Sequence, residues 1–241
     1  MSNMTEASLI LNNVSKIYSM GKNDVIALDN INLHIKSGEL ITLLGPSGAG
    51  KTTLLNLMGG IDTPTSGEIK VFNELISELS PDQLADYRKK KVGFVFQFFN
   101  LLPSLTALEN VEIAIESFGK KEEIRKVAVK YLEAVGLGER LDHLPSELSG
   151  GQQQRVTIAR ALAKEEYAEG NLLILMDEPT GNIDEETGDQ ILELVKKIAA
   201  DYTVTFIVVT HNPLITQKLQ SREIHIRNGK IITDSNNQAN S

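Results

Sequence analysis

The sequence predicts an α/β fold in which a mixed sheet is flanked by helices, with an N-terminal antiparallel β subdomain and a helical subdomain insert. Apolar runs at 172–176 and 206–209 have the length of buried strands. Segments with helical spacing alternate with such runs, as they do in α/β domains. From about 98 to 162 the pattern stays helical, which indicates an insert within the sheet-forming part of the chain.

The N-terminal part of the chain is predicted to supply the antiparallel strands. Residues 9–11 form a short apolar run, and 31–35 alternate apolar and polar side chains as a half-buried strand does. Turns are expected at 21–24 and 66–68, and a short strand at 69–72 follows the second turn.

A glycine-rich turn follows the predicted buried strand 40–44 and leads into a helix. It matches the phosphate-binding pattern G-x-x-x-x-G-K-[ST], which indicates a P-loop NTPase core. The glycines let backbone N–H groups approach an anion at a helix start, where such groups are unpaired. Lys51 adds a positive charge for the outer phosphates, and Thr52 offers a hydroxyl to Mg²⁺. The turn and the residue after it are Gly45, Pro46, Ser47, Gly48, Ala49, Gly50, Lys51, Thr52 and Thr53.

Local signals mark the ends of several other elements. Ser80 and Gln83 form a capping box around a proline at the first helical position, and 106–109 is a second capping box. Gly136 follows a helical pattern and predicts its C-terminal end. The pair 228–229, Asn-Gly between two short apolar runs, predicts a two-residue β-hairpin.

Four predicted strands end in residues that carry chemistry: the 45–52 turn, Gln97, Asp177 with Glu178, and His211. Ligands of open α/β sheets gather at the carboxyl ends of the strands, so these residues should converge. Asp177 and Gln97 are candidates for Mg²⁺, and Glu178 for the base that takes a proton from an attacking water. His211 could hydrogen-bond the outer phosphate. On its own, this histidine is equally compatible with a structural role and with a functional role.

A second anion-binding element lies far along the chain, at the start of a predicted helix 152–164. It consists of Leu148, Ser149, Gly150, Gly151 and Gln152. A helix start that carries a serine hydroxyl and free N–H groups is suited to phosphate. One nucleotide site does not need two such elements, so the second could serve a nucleotide held by another subunit.

With these motifs in this order, the chain resembles the ATP-binding-cassette (ABC) ATPase subunits from Leu9 to about Thr233. The resemblance makes 45–52 the Walker A motif, Gln97 the Q-loop glutamine, 148–152 the signature and 172–177 Walker B. The D-loop motif would be 180–184. The resemblance implies ATP and Mg²⁺ as cofactors. The residues that would take part in catalysis are Lys51, Gln97, Glu178 and His211. Those that would hold the metal are Thr52, Gln97 and Asp177.

The resemblance also implies a head-to-tail dimer with a second ABC ATPase subunit, in which ATP lies between the Walker A motif of one subunit and the signature of the other. Ser149, Gly150, Gly151 and Gln152 would thus bind the nucleotide of the partner. Tyr18 matches the aromatic residue that stacks on adenine in the family. Without the resemblance, a packing role and a binding role would be equally compatible with this tyrosine.

Within the family the chain is most similar to the lipoprotein-release and macrolide-efflux branch, to judge from 94–97, 144–147 and 177–182. This implies an integral membrane permease subunit as partner, and transport or mechanical work as output. Phe98 and Ile183 depart from the usual residues of the branch. The segment 164–170, which precedes Walker B, is slightly longer than is usual there. The apolar segment 98–103 could be core or a docking surface for the partner.

The composition of the 241 residues argues against several kinds of site, partner and location. Cysteine is absent, so disulfides, thiolate metal sites and cysteine nucleophiles are excluded. A net charge of −8 argues against a broad basic face, so we expect no nucleic-acid partner. The apolar runs fall short of the roughly 20 residues of a membrane span, and 1–20 show no secretory signal. We therefore expect a cytoplasmic protein, peripheral on the cytoplasmic face of the membrane.

The predicted organisation is one ABC ATPase domain with three parts. Residues 1–97 and 163–233 form the core with the antiparallel β subdomain, 98–162 form the helical subdomain with the signature, and 234–241 form a disordered tail.

Two other functions stay open at this point. A soluble ABC ATPase acting on ribosomes or DNA would usually carry two cassettes or a long coiled coil, and this chain has one cassette and lacks a heptad run. A small-molecule kinase on a P-loop fold would have no use for 148–152.

Overall fold

Two β-sheets and the helices around them make up the computed structural model, which describes residues 7–21 and 23–236. The strands are β1 (Ala7–Met20), β2 (Asn23–Lys36), β3 (Leu40–Leu44), β4 (Ser66–Val71), β5 (Glu74–Leu75), β6 (Val92–Val95), β7 (Leu172–Asp177), β8 (Val204–Thr210), β9 (Arg222–Arg227) and β10 (Lys230–Asp234). The helices are α1 (Lys51–Met58), α2 (Pro81–Lys91), α3 (Ala107–Ile115), α4 (Lys121–Ala134), α5 (Gly150–Leu162), α6 (Glu165–Ala168), α7 (Glu185–Asp201) and α8 (Pro213–Leu219).

The larger sheet is mixed and has the strand order β10-β9-β3-β8-β7-β6. Five of its strands run parallel and β10 alone is antiparallel, through its hairpin with β9. The smaller sheet is antiparallel, in the order β2-β1-β4-β5. The predicted α/β class, with a mixed sheet and a separate antiparallel sheet, is confirmed.

The core strands of the larger sheet are buried on both faces, because two hydrophobic clusters sandwich them. In β7, Leu172, Ile174 and Met176 pack into a cluster with α3, α4, α5 and α7. Leu173 and Leu175 pack into the opposite cluster, with α1 and the antiparallel sheet. A strand buried on both faces needs apolar side chains at every position, which explains the uninterrupted apolar run in the sequence.

The segment 98–162 is helical, as predicted, and contributes α3, α4 and α5. Its helices pack directly against the sheet through the same cluster that contains the even-numbered side chains of β7. The division of the chain into a core and a helical subdomain stays a prediction. Among the described residues, the longest helix is too short and too polar to cross a membrane.

Local capping chemistry acts as the sequence predicts. Ser80 and Gln83 form a reciprocal capping box at the start of α2, and Thr106 and Glu109 do the same for α3. The hairpin between β9 and β10 turns at Asn228 and Gly229, which both have a positive φ, at 49° and 73°. Both signals are local, so the surrounding fold did not override them.

The turn predicted at 66–68 was wrong. These residues open β4, where Ser66 pairs with Ser15 and Glu68 with Asn12. Gly67 has φ 86°, and a Cβ there would overlap the backbone carbonyl of Asn13. Glycine is needed for a close approach of two strands, which produces the same sequence signal as a turn. The strands β1 and β2 also extend far beyond the predicted runs, to 14 residues each, and of the 21–24 turn Lys22 lies outside the described residues.

The start of the disordered tail was also placed too early. Asp234 ends β10, and its carboxylate accepts two hydrogen bonds from the Arg222 guanidinium, at 2.8 and 2.6 Å. Both side chains are about nine-tenths buried, and the same guanidinium contacts Glu39 at 3.1 Å. The hydrogen bonds from Arg222 lower the pKa of Asp234, although burial opposes this shift. Residues 237–241 of the predicted tail lie outside the described residues.

We expect Asp234→Asn to lower the free energy of unfolding by about 2 kcal/mol at neutral pH, since it leaves part of a buried guanidinium uncompensated. The matched control is Asp29→Asn, which breaks an exposed pair with Lys230 and should cost under about 1 kcal/mol.

The cost of Asp234→Asn, measured by urea denaturation, should decrease at low pH. The folded-state pKa of Asp234 is lowered, so its contribution is complete above the unfolded value and disappears as the pH falls through the folded pKa. The difference between the wild type and Asp234→Asn should therefore shrink below about pH 4. Equal costs for the two variants at neutral pH would contradict the assignment of Asp234 to the fold.

Candidate nucleotide site

A cavity of about 760 Å³ opens at the carboxyl ends of β3, β6, β7 and β8. Parallel strands bring these ends to one edge of the sheet, and the cavity lies where ligands of such sheets bind. Its lining includes most of the predicted site: Ser47, Gly48, Ala49, Gly50, Lys51, Thr52, Thr53, Gln97, Asp177, Glu178 and His211. It also includes residues that were not predicted to bind nucleotide or metal: Val25, Ile26, Ala27, Phe96, Phe98, Asn100 and Gly181, the last of which belongs to the predicted D-loop motif.

The glycine-rich turn is clamped between β2 and the β9–β10 hairpin. Gly50 has φ 102°, and a Cβ there would stand 2.5 Å from the carbonyl oxygen of Ala27. At Gly45 a Cβ would overlap the carbonyl of Ile226. The hairpin residue Gly229 donates its N–H to the Ala49 carbonyl at 3.0 Å. The loop therefore requires glycine for two reasons, its left-handed backbone and its close packing on both sides.

Lys51 is buried and bridges its own loop. Its Nζ donates to the carbonyl oxygens of Gly45, at 2.7 Å, and Pro46, at 3.0 Å. These bonds hold the ammonium group beside the backbone N–H groups of the loop, at the wall of the cavity. Gly45 and Pro46 themselves are not among the lining residues, and they contact Lys51 through these carbonyls.

Thr52 and Asp177 meet at the floor of the cavity. The Thr52 hydroxyl donates to Oδ2 of Asp177 at 3.0 Å, across 125 positions of sequence. Burial raises the pKa of Asp177, the Thr52 hydrogen bond lowers it, the charge of Glu178 raises it and the charge of Lys51 lowers it, with a net rise. A hydroxyl and a carboxylate are oxygen ligands of the kind that Mg²⁺ takes together with substrate phosphates, so this pair fits that ion.

Glu178 has an unusual backbone and a well-held carboxylate. Its φ is 49°, a left-handed value that is uncommon outside glycine and asparagine. Its N–H donates to the Val209 carbonyl at 2.9 Å. The Thr210 hydroxyl donates to Oε2 at 3.0 Å, and Nδ1 of His211 lies 2.6 Å from Oε1. The carboxylate is thereby oriented at the cavity by Thr210, which ends β8, and by His211, which follows it.

His211 is mostly exposed, and its Nδ1 contacts Oε1 of Glu178. Its predicted bond to the outer phosphate of a nucleotide stays a prediction. Gln97 is tied to a different segment: Asn182 donates to its backbone carbonyl at 2.9 Å, and its own Nε2 donates to Oδ1 of Asn182 at 3.3 Å. At Gly181 a Cβ would stand 2.8 Å from that Nε2, so the two segments lie in contact.

Tyr18 does not line the cavity. Its hydroxyl donates to Oδ2 of Asp62 at 2.7 Å, and Lys16 lies over its ring, 4.9 Å from the centroid. Burial is the main cause that raises its pKa, followed by the hydrogen bond with Asp62. Tyr18 pairs with Val25 across the β1–β2 hairpin, and Val25 belongs to the lining, so Tyr18 lies next to the apolar wall. Adenine stacking by Tyr18 stays a prediction.

The second anion-binding element, 149–152, is absent from the lining of this cavity. Ser149 caps α5 through a reciprocal pair of hydrogen bonds with Gln152, at 3.3 and 2.9 Å. Gly151 packs so closely on α7 that a Cβ would overlap Thr187. The structure thus brings the predicted residues together in two groups, with Walker A, Asp177, Glu178, Gln97 and His211 in one and the signature in the other.

Sequence patterns did not reveal the wall formed by Val25, Ile26 and Ala27. The only available signal was the presence of two apolar side chains in a polar neighbourhood, and Val25 and Ile26 are indeed 47% and 59% exposed. Large apolar side chains at the mouth of a cavity indicate a surface that a ligand covers.

The fold and the site define the ATP-hydrolysing cassette of a P-loop NTPase. The chain belongs to the ABC transporter family, whose model matches residues 28–181. The predicted ATPase activity and the resemblance to a branch that includes macrolide efflux are confirmed.

Similar proteins cover nearly the whole chain. An uncharacterized ABC transporter ATP-binding protein of Methanocaldococcus jannaschii, MJ0796, is 45% identical over 226 residues, which are 92% of this chain and 94% of that protein. YvrO of Bacillus subtilis, also an uncharacterized ABC transporter ATP-binding protein, is 44% identical over 94% of this chain and 96% of its own length. The macrolide export ATP-binding/permease protein MacB of Hyphomonas neptunium is 44% identical over 98% of this chain, which spans 36% of MacB.

A solved structure is also similar: the dimeric structure of a post-hydrolysis state of the ATP-binding cassette MJ0796 bound to ADP and Pi. It superposes with a TM-score of 0.81 at 42% identity, over 94% of this chain and 97% of that one. The matches are ATP-binding proteins of transporters, so the soluble ribosome- or DNA-acting ATPase and the kinase are not favoured.

We expect Gly229→Ala to weaken ATP binding about tenfold, measured by equilibrium titration with a fluorescent ATP analogue. A Cβ at Gly229 would stand 2.8 Å from the Ala27 carbonyl and displace the hairpin that bonds Ala49. Gly38→Ala is the matched control, because Gly38 has nearly the same φ, 74°, and open space around it. Equal affinities for the two variants would show that the hairpin does not support the loop.

Proposed function

We propose that this chain, as the ATP-hydrolysing subunit of a transporter or mechanotransmission complex, holds ATP and Mg²⁺ in the cavity and hydrolyses ATP with Glu178 as base. The observation that carries the proposal is the Glu178 carboxylate, which Thr210 and His211 orient beside the P-loop. Bound Mg²⁺ would neutralise charge on the phosphates, and Thr52, Asp177 and Gln97 are the residues that would hold it.

Hydrolysis of ATP gives each of these groups a role. A water oxygen attacks the terminal phosphorus, the bond from that phosphorus to the bridging oxygen breaks, and Glu178 takes the proton of the water. Lys51 and the backbone N–H groups of 45–52 bind the phosphate oxygens. His211 acts at the terminal phosphate and keeps Glu178 in place. The products are ADP and phosphate.

A second subunit completes the site. Ser149, Gly150, Gly151 and Gln152 form an N-capped helix start suited to phosphate, yet they lie outside the cavity of their own chain. In a head-to-tail pair they would close on the nucleotide of the partner. The dimeric structure described for the similar cassette MJ0796, bound to ADP and Pi, supports the formation of a dimer. A homodimer is the simplest form.

An integral membrane permease subunit is the proposed third component, docked where the helical segment presents an unpartnered groove. Leu105, Ile113 and Ile124 line this groove of about 430 Å³ together with Glu109, Glu112, Glu116 and Lys121. Three carboxylates against one lysine leave the lining net acidic, which fits an amphipathic helix with basic residues. The chain would then be cytoplasmic and peripheral on the cytoplasmic face of the membrane.

We expect Glu178→Gln to lower kcat at least 100-fold while ATP still binds, because the amide keeps the shape of the side chain and loses the base. ATP-bound dimers should accumulate, which size-exclusion chromatography with ATP would show. Glu185→Gln, a nearby surface carboxylate at the start of α7, is the control and should hydrolyse normally. Hydrolysis by Glu178→Gln at the wild-type rate would remove Glu178 from the mechanism.

We also expect Leu102→Lys combined with Ile113→Lys to separate the chain from its membrane partner. Both side chains are exposed on the helical segment, by 44% and 43%, and lysines there would repel the basic residues of a docking helix and lose their hydration against its apolar face. Purification from native membranes should recover an integral membrane protein with the wild type and with the control Ile232→Lys, whose side chain is exposed on β10. Equal recovery with the double variant would place the docking surface elsewhere.

A further inference from the structure

A buried glutamine joins the helix of the second anion-binding element to the segment that carries Glu178. Gln154 lies on α5 and is fully buried. Its Nε2 donates a hydrogen bond of 2.7 Å to the carbonyl oxygen of Pro179, 25 positions further along the chain. A buried amide is tolerated only when its polar atoms are paired, so this contact fixes both groups.

The remaining bonds of Gln154 make it rigid. The buried hydroxyl of Thr157 donates to the backbone carbonyl of Gln154 at 2.8 Å and lies 3.3 Å from its Oε1. The amide is therefore held at both ends, with its nitrogen on Pro179 and its oxygen beside Thr157. Thr157 is one turn further along α5, so the network is anchored on the helix.

The segment that receives this bond has a backbone that needs support. Glu178 has a left-handed φ of 49°, and a buried proline follows it. On one side β8 holds the segment, through the bond from the Glu178 N–H to Val209. Gln154 holds the other side. Unusual backbone angles persist only where the surroundings determine them, which indicates that both contacts matter to the direction of the Glu178 side chain.

We propose that Gln154 is a positioning residue for Glu178, and that it links the orientation of this base to the helix that begins at Ser149. The proposal rests on the proposed function of Glu178 as base. Because α5 carries both Gln154 and the 149–152 turn, a shift of α5 when that turn closes on the partner's nucleotide reaches the chain's own Glu178 through one hydrogen bond.

The direct test is Gln154→Met, which keeps the length of the side chain and removes the donor. We expect kcat for ATP hydrolysis to fall about 10- to 100-fold, the size of effect that a small displacement of a reacting group causes. KM and the ATP affinity of the monomer should stay within about threefold, because the phosphate-binding loop is untouched. Thermal melting identifies a temperature at which every variant is folded, and all rates are compared there.

Gln153→Met is the matched control. It makes the same substitution one position earlier on α5, and its Nε2 donates to the Leu148 carbonyl at 3.1 Å instead of to the Glu178 segment. Its kcat should fall less than about threefold. A loss as large as that of Gln154→Met would mean that any disturbance of α5 has this effect, and the proposal would be overturned.

Two further measurements separate positioning from a merely structural role. Gln154→Met should accumulate ATP-bound dimers, as a slowed hydrolysis step does, whereas a damaged fold would reduce them. In the Glu178→Gln background, Gln154→Met should lower the residual rate less than about threefold, because the group it positions is already gone. A full additional loss in that background, or a wild-type kcat in the single variant, would overturn the proposal.

If Gln154→Met does not fold, Thr157→Val tests the same link with a smaller change. It keeps the shape of Thr157 and removes the hydroxyl that holds Gln154, so kcat should fall about two- to fivefold at unchanged KM. A wild-type kcat would then contradict the link. The failure of this inference is distinct from that of the proposed function, since an inactive Glu178→Gln together with a fully active Gln154→Met refutes the role of Gln154 alone.

Discussion

The parallel register of the larger sheet determines where the residues of the nucleotide site lie. Leu44 pairs with Thr210, and Asp177 pairs with Val209, so the last residues of β3, β8 and β7 lie side by side. This register places the hydroxyl of Thr52 within 3.0 Å of Asp177 and the carboxylate of Glu178 beside His211. A shift of one residue in any of these strands would turn the side chains to the other face and separate the groups.

The sequence predicted the features whose physical cause is local. The capping boxes at Ser80 and Thr106, the hairpin at 228–229 and the glycine-rich turn depend on neighbouring residues, and all lie where they were expected. The strand-end residues of the site also converge, because parallel strands impose this on any sheet of the class. Fold class and most of the cavity lining could therefore be derived from the residues alone.

The features that the sequence did not predict depend on contacts between distant segments. Gly67 suggested a turn, and its actual cause is the approach of Asn13 from another strand. The sequence pattern places Asp234 in a polar tail, whereas in the structure Asp234 forms an ion pair with Arg222. The bond from Gln154 to Pro179 has no pattern in sequence, since a glutamine in an amphipathic helix gives no indication of whether it is buried. In each case tertiary packing decides, and no local propensity encodes it.

We propose that each ATP site is shared, with 45–52 of one subunit facing 149–152 of the other. Mixed dimers that combine Lys51→Ala and Ser149→Ala test this sharing, with the two substitutions placed either in one protomer or in opposite protomers. A shared site predicts about half of the wild-type ATPase rate when the substitutions are in opposite protomers, because both fall in the same site, and almost none when one protomer carries both. The reverse pattern, with activity retained only when one protomer carries both substitutions, would show that each chain hydrolyses ATP by itself and would contradict a shared site.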